Sequence, residues 1–171
     1  MSYRCLGLAL AFGFLGGGCD GSSSPSDSDL PEDPCPQPGP GITIDGHGGA
    51  AEAEMTPLRR VVLMGGAAEV DSAATVFLDG VAGGDVVILR ASGSTSSYID
   101  YFTLGMAPSV GPASIHAIRT DIPANGGDPA VLCYLDRAEA VWLAGGNQWD
   151  YLGRWPEPVH SALADLTHRG G

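Results

Sequence analysis

Residues 58–91, LRRVVLMGGAAEVDSAATVFLDGVAGGDVVILRA, decide the fold class. Leu58 to Met64 reads as a buried strand closed by the turn Gly65-Gly66. From Glu69 to Val81 the period changes: Val70, Ala73, Ala74, Phe77 and Val81 share one stripe of a helix, which Gly83-Gly84 ends. Asp85 to Ala91 is again an apolar strand. Strand, helix and strand in direct succession predict a parallel crossover unit.

The alternation continues downstream. A polar loop, Ser92 to Ser97, leads into a short amphipathic stretch, Tyr98 to Met106, and Ala113 to Thr120 reads as a third strand. Asp128-Pro129 opens a helix that runs to Ala138, because Asp caps a helix and Pro suits its first turn. Ala140 to Ala144 is a fourth strand stopped by Gly145-Gly146, and helical pieces follow at Trp149 to Trp155 and Pro158 to His168. The expected architecture is α/β: a doubly wound, mostly parallel sheet with helices on both faces, whose chemistry sits at the carboxyl ends of the strands. Each strand ends there in a polar or glycine-rich turn. Arg169-Gly170-Gly171 has the character of a helix-to-strand turn, so the fold is expected to be incomplete at its C-terminus.

Upstream of this region the composition differs. Arg4 precedes an apolar run of 11 residues, Cys5 to Leu15, too short for the roughly 20 residues a membrane span needs. Gly16-Gly17-Gly18 then leads to Cys19. This is similar to a bacterial lipoprotein signal, with residues 1–18 removed and Cys19 lipidated; an ordinary secretory signal with an incidental Cys is the alternative. Residues 19–41 are expected to be a solvated tether: Asp20 to Gly41 holds six Pro, five Ser and five acids. The chain is then an exported, membrane-anchored lipoprotein of the periplasm or cell surface, with its folded part in residues 42–171.

Among 171 residues, 26 are Gly and 13 are Pro, yet 44% are hydrophobic, enough for a packed core. The formal charge is −12, and all eight basic residues are Arg. Such a surface repels phosphate backbones, so nucleic acid is not an expected partner. With Cys5 and Cys19 assigned to the leader, Cys35 and Cys133 remain. An oxidising compartment permits a bridge between them, but the linker position of Cys35 and a spacing that fits no known framework leave both cysteines read as free. Cys133 reads as a small buried hydrophobe.

Several residues carry candidate chemistry. Ser92-Gly93-Ser94-Thr95-Ser96 is rich in hydroxyls but lacks the G-x-S-x-G elbow, so it is expected to line the cleft and cap the helix at Tyr98. Glu69 and Asp71 follow the first strand and either meet a cationic group of a substrate or favour a helix N-terminus. His47-Gly48-Gly49 lies before the first predicted strand and reads as loop. His116 reads as a packed strand residue, and His160 and His168 as helix surface. No CxxC or His/Cys cluster supports a metal, and Gly65-Gly66-Ala67 lacks the full dinucleotide fingerprint, so no cofactor is expected.

The ordered segments MGGAAEVD, the Ala82-Gly83-Gly84 turn before DVVILRAS, the stretch ending TLGM, Ile118-Arg119 and AVWLAGGNQWDYL together resemble the cyanophycinase and dipeptidase E family of serine peptidases. The resemblance covers about Arg59 to Gly171. Its most specific piece is Gly145-Gly146-Asn147-Gln148, similar to the GGDQ of cyanophycinases and the GGN of the dipeptidases. It implies a doubly wound sheet, flavodoxin-like and akin to class I glutamine amidotransferases, with a nucleophilic Ser on a strand-to-helix elbow. Amides of Gly146 or Asn147 would then form the oxyanion hole, and Gln148, with Gly145 in the same turn, would contact substrate; Glu69 and Ser92 join them as candidate substrate contacts by their places after strand ends. The substrate class implied is a peptide or an aspartyl-arginine polymer, with a homodimer left open. In that family the elbow follows the glycine pair matched here by Gly170-Gly171, and the catalytic His comes later, so residues 1–171 alone are expected to be inactive. A non-catalytic binding lipoprotein and a Cys-dependent amidotransferase-like hydrolase are the alternatives.

Overall fold

The computed structural model describes residues 33–48, 56–66, 68–81, 83–106 and 111–171. The leader, the lipidation position Cys19 and the tether up to residue 32 lie outside them. The described elements are β1 (Ile42–Gly48), α1 (Asp71–Val81), β2 (Asp85–Arg90), α2 (Ser96–Asp100), β3 (Ser114–Thr120), α3 (Pro129–Arg137), β4 (Ala140–Leu143) and α4 (Glu157–Arg169). The sheet runs β1-β3-β2-β4. Strand β2 pairs in parallel with β3 on one side and with β4 on the other, while β1 is antiparallel to β3. The protein is therefore α/β with a mixed four-stranded sheet.

Alternate residues of the central strand face opposite layers. Val86 and Ile88 pack with Ala74 and Leu78 of α1, Ile99 of α2 and Phe102, whereas Val87 and Leu89 pack with Val131 and Leu135 of α3 and Val159 of α4. Helices cover both faces, and a strand covered twice must be apolar where it is covered, as Val86 to Leu89 are between Asp85 and Arg90. Phe102 is fully buried, and its ring lies 5.1 Å from that of Trp142. The Asp128 side chain accepts from the Ala130 amide at 2.9 Å and caps α3, with Pro129 in the first turn. At the end of α4, Gly170 adopts φ 106°, a left-handed C-cap that a side chain would oppose.

Two sequence expectations change. Leu58 to Met64 is not a strand of the sheet: residues 56–65 belong to no strand or helix, with Leu63 91% and Val61 75% exposed. The sheet instead gains β1, an antiparallel edge strand, so His47 belongs to a strand end and not to a loop. Its signal was the alternation Ile42-Thr43-Ile44-Asp45, short and next to a Pro-rich stretch.

The end of the tether is also held. Cys35 is bonded to Cys133, with Cα atoms 5.7 Å apart and a sequence separation of 98, so neither cysteine is free and Cys133 is not merely a core hydrophobe. Tyr134 donates its hydroxyl to Asp33, and the Gly39 amide donates to Asp128 at 3.3 Å. Residues from Asp33 to Gly41 are thus packed on α3 ahead of β1. The reading of Cys35 as part of a solvated linker failed because composition describes a segment's own burial, not a covalent clamp supplied by another element.

Candidate functional site

Parallel pairing brings the carboxyl ends of β2, β3 and β4 to one end of the sheet. Arg90 ends β2. Its guanidinium donates to the Ser94 carbonyl and to Ser97 Oγ at 3.0 Å, and lies 4.6 Å from the centre of the Tyr98 ring. Tyr98 in turn donates its hydroxyl to Glu69 Oε1. Partial burial raises the Glu69 pKa, and the nearby Arg90 charge pulls it back down. Behind this pair, Tyr101 donates to Asp71 at 2.9 Å, and its pKa is pushed up to about 12 by burial and then by that hydrogen bond.

The turn after β4 faces this cluster. Residues 145–148 are all exposed, and among the described residues no hydrogen bond is drawn from the amides of Gly145, Gly146 or Asn147. A Cβ at Gly145 would meet nothing within 4 Å, so its backbone lies open. Gly146 has φ 156° and packs over Tyr151. Tyr151 fixes the turn from below: its hydroxyl donates to the Ala144 carbonyl at 2.9 Å and accepts from the Ala91 amide at 3.0 Å, joining the ends of β4 and β2. Burial raises its pKa, which keeps the hydroxyl a donor. The sequence offered no signal for Tyr151 beyond its place in a helical piece.

A groove of about 960 Å³ joins these groups. Its wall includes Glu69, Arg90, Tyr98, Gly145, Gly146 and Gln148. Four residues singled out in the sequence, Glu69, Gly145, Gly146 and Gln148, thus share one surface. Two do not. The side chain of Asn147 caps the following helical turn by accepting from the Trp149 amide at 3.1 Å, and Ser92 is exposed outside the groove wall. Nor do the hydroxyls of this loop cap α2: no side chain caps it, and Thr95 donates to Asp45 instead.

Among the described residues a serine meets a histidine at Ser114, whose hydroxyl lies 3.4 Å from His116 Nδ1. Ser114 is buried, donates to Asp85 at 2.7 Å, and sits at the amino end of β3, away from the groove. There the Ser bridges the acid and the His, whereas a nucleophile needs the His in the middle. The His116 ring lies against that of Tyr134, tilted by 38° with centroids 4.5 Å apart, and is a packed strand residue. His160 and His168 are exposed on α4. Among the described residues no group of three or more His, Cys, Asp or Glu side chains could hold a metal ion. No protein-family model, curated protein or solved structure matches this chain.

Proposed function

We propose that this chain carries the oxyanion and substrate side of a serine-type amide hydrolase resembling the cyanophycinases, with a doubly wound, flavodoxin-like sheet in the full-length protein. The observation that supports it is the exposed Gly145–Gln148 turn, in which the amides of Gly145, Gly146 and Asn147 have no partner among the described residues and whose position is held by Tyr151. Fixed donors at a strand end stabilise a developing oxyanion without reorganising, an effect of several kcal/mol. In this reading a Ser outside these residues, deprotonated by a His, attacks the carbonyl carbon of an amide beside an aspartyl residue. The carbonyl oxygen takes the negative charge at the Gly146 or Asn147 amide. The tetrahedral adduct collapses, the nitrogen leaves with the proton from the His, and water then releases the acyl group. Glu69 faces a cationic end of the substrate, which fits an aspartyl-arginine peptide or polymer. The leader reading makes the enzyme an exported lipoprotein.

The test is hydrolysis of an aspartyl-arginine substrate by the full-length protein and by residues 1–171 side by side. The full-length protein should hydrolyse it and react with a serine-directed phosphonate, and the shorter chain should do neither. Gly146→Ala in the full-length protein, by twisting the turn, should lower kcat by about 10²-fold. Hydrolysis by residues 1–171 alone would reject the assignment of the nucleophile. A full-length protein without hydrolase activity would leave the binding lipoprotein, and labelling by a thiol reagent instead of the phosphonate would point to the Cys-dependent hydrolase.

A further inference from the structure

Among the described residues β1 pairs only with β3, so its outer side ends the sheet. Successive residues of a strand turn their N–H and C=O to opposite sides, and the phase of the β1-β3 ladder therefore fixes which groups of β1 are left over. Just before the strand, the Asp121 amide donates to the Gly41 carbonyl at 2.8 Å, and these two residues continue the register in which Ile42 lies opposite Thr120. Thr43, Asp45 and His47 are in phase with Gly41 and turn their backbone groups to β3. Ile42, Ile44, Gly46 and Gly48 turn theirs outward.

This outward row is complementary to itself. When two copies run antiparallel about a two-fold axis at Gly46, every outward group meets an outward group: Gly46 faces Gly46, and Ile44 faces Gly48. Asp45 then lies opposite His47 of the second copy, and on the same face, as directly opposite residues of an antiparallel pair do. Asp45 to Gly48 are all exposed. Thr95 donates to Asp45 Oδ2, which leaves Oδ1 for an imidazole. An axis at Ile44 keeps the backbone phase but sets Thr43 against Asp45, so the side chains select Gly46. The edge also lacks the usual guards against pairing: Ile42–Gly48 contains no Pro and no Lys, and its one acid is the charge that the second copy answers.

We propose that β1 is a dimerisation edge, where a second copy of this chain adds its own β1 antiparallel about Gly46 and joins the two four-stranded sheets into one. An Asp45–His47 pair stands on each side of the axis. Pairing satisfies backbone groups of Ile44, Gly46 and Gly48 that have no partner strand in a single copy. The groove borders β4 at the opposite end of the strand order, so the dimer leaves both grooves open. Strand β1 precedes Arg59, where the family resemblance begins, and the inference is independent of the hydrolase reading.

Sedimentation, amide exchange and cross-linking of the whole chain test it. The chain should sediment as a dimer, and dilution that dissociates it should speed the exchange of Ile44 and Gly46 at least about 10-fold while Thr43 and Asp45 stay slow. Asp45→Cys and His47→Cys chains, mixed and oxidised, should join through positions 45 and 47, as identified by mass spectrometry of the linked peptides. His47→Glu sets like charges opposite each other and should raise the dimer Kd about 10-fold, and the exchange Asp45→His with His47→Asp should restore it. Ile44→Pro removes an outward N–H, spares the bonds to β3 and should give a monomer. A chain that is monomeric at every concentration reached would overturn the proposal. So would a dimer in which Ile44 and Gly46 exchange freely, or one in which positions 45 and 47 do not join, since the contact would then lie on another surface. If Ile44→Pro unfolds, the unsubstituted chain and the mixed cysteine variants still decide.

Discussion

The two edges of the sheet are built from segments whose sequences suggest the reverse of their roles. At the β1 edge, residues 33–41 come from a Pro-rich acidic stretch, yet they are clamped to α3 by Cys35–Cys133 and by Tyr134 on Asp33. At the β4 edge, residues 58–64 read as a buried strand, yet Leu63 stands 91% exposed and, among the described residues, no strand pairs with the outer side of β4. Composition states what a segment gains on burial, and whether the gain is realised depends on partners far away in the chain. A covalent clamp on the segment before it and an antiparallel register hold β1 at the first edge. Residues 58–64 have neither.

Breaking the clamp should have the largest effect. Cys133→Ser opens a loop with a sequence separation of 98, for which chain entropy predicts a loss of about 4–5 kcal/mol. Urea unfolding of the variant and of the reduced protein measures it. A loss below about 1 kcal/mol would mean that β1 pairing alone holds this edge, and the contrast between the edges would then lie in register and not in covalency. Next is Phe102→Ala, which removes a fully buried ring in contact with Trp142 and should lower stability by about 3–5 kcal/mol. A small effect would show that the layer beneath the β4 edge is loosely packed. Tyr134→Phe removes a hydrogen bond to a carboxylate at the β1 edge and should lower stability by about 1–2 kcal/mol. If Tyr134→Phe has no effect when Cys133→Ser is already present, residues 33–41 dock only because the disulfide holds them.

Much of the interior was legible in the sequence. The strands at Asp85–Arg90, Ser114–Thr120 and Ala140–Leu143 and the helices at Asp71–Val81, Pro129–Arg137 and Glu157–Arg169 carry periodic or capping signals that tertiary contacts then reinforce. What misled was at the edges. Ile42-Thr43-Ile44 is too short a run to outweigh the Pro residues before it, and no local signal ties Cys35 to Cys133. The site divides in the same way. Gly145-Gly146 announced itself as a strand-end turn, Glu69 followed from its place beyond a predicted strand, and Gln148 came from the family resemblance alone. Arg90 and Tyr151 were not visible, because their roles come from what the fold sets against them: the Tyr98 ring, and the Ala91 amide with the Ala144 carbonyl.

The smallest expected effect separates the two edges by the sign of their pH response. At the β1 edge His116 has its pKa lowered from 6.5, chiefly by burial and also by Arg137, with Asp33 and Asp85 opposing. The unfolded chain then binds the proton first, so stability is full above pH 6.5 and falls as the pH drops from there through the lowered folded value. At the β4 edge Glu69 has its pKa raised from 4.5 by burial, with Arg90 opposing. Its contribution has the other sign: it is fully present below pH 4.5 and is lost as the pH rises through the raised folded value. Urea midpoints between pH 7.5 and 4 should therefore carry two opposed limbs against the background of the other carboxylates, the first a loss from His116 that begins below pH 6.5, the second a gain from Glu69 that is complete below pH 4.5. His116→Gln should flatten the first limb, and Glu69→Gln the second. Should His116→Gln leave the first limb unchanged, the β1 edge is not where protons enter, and the packing of β1 over that ring would be looser than the Tyr134 contact implies.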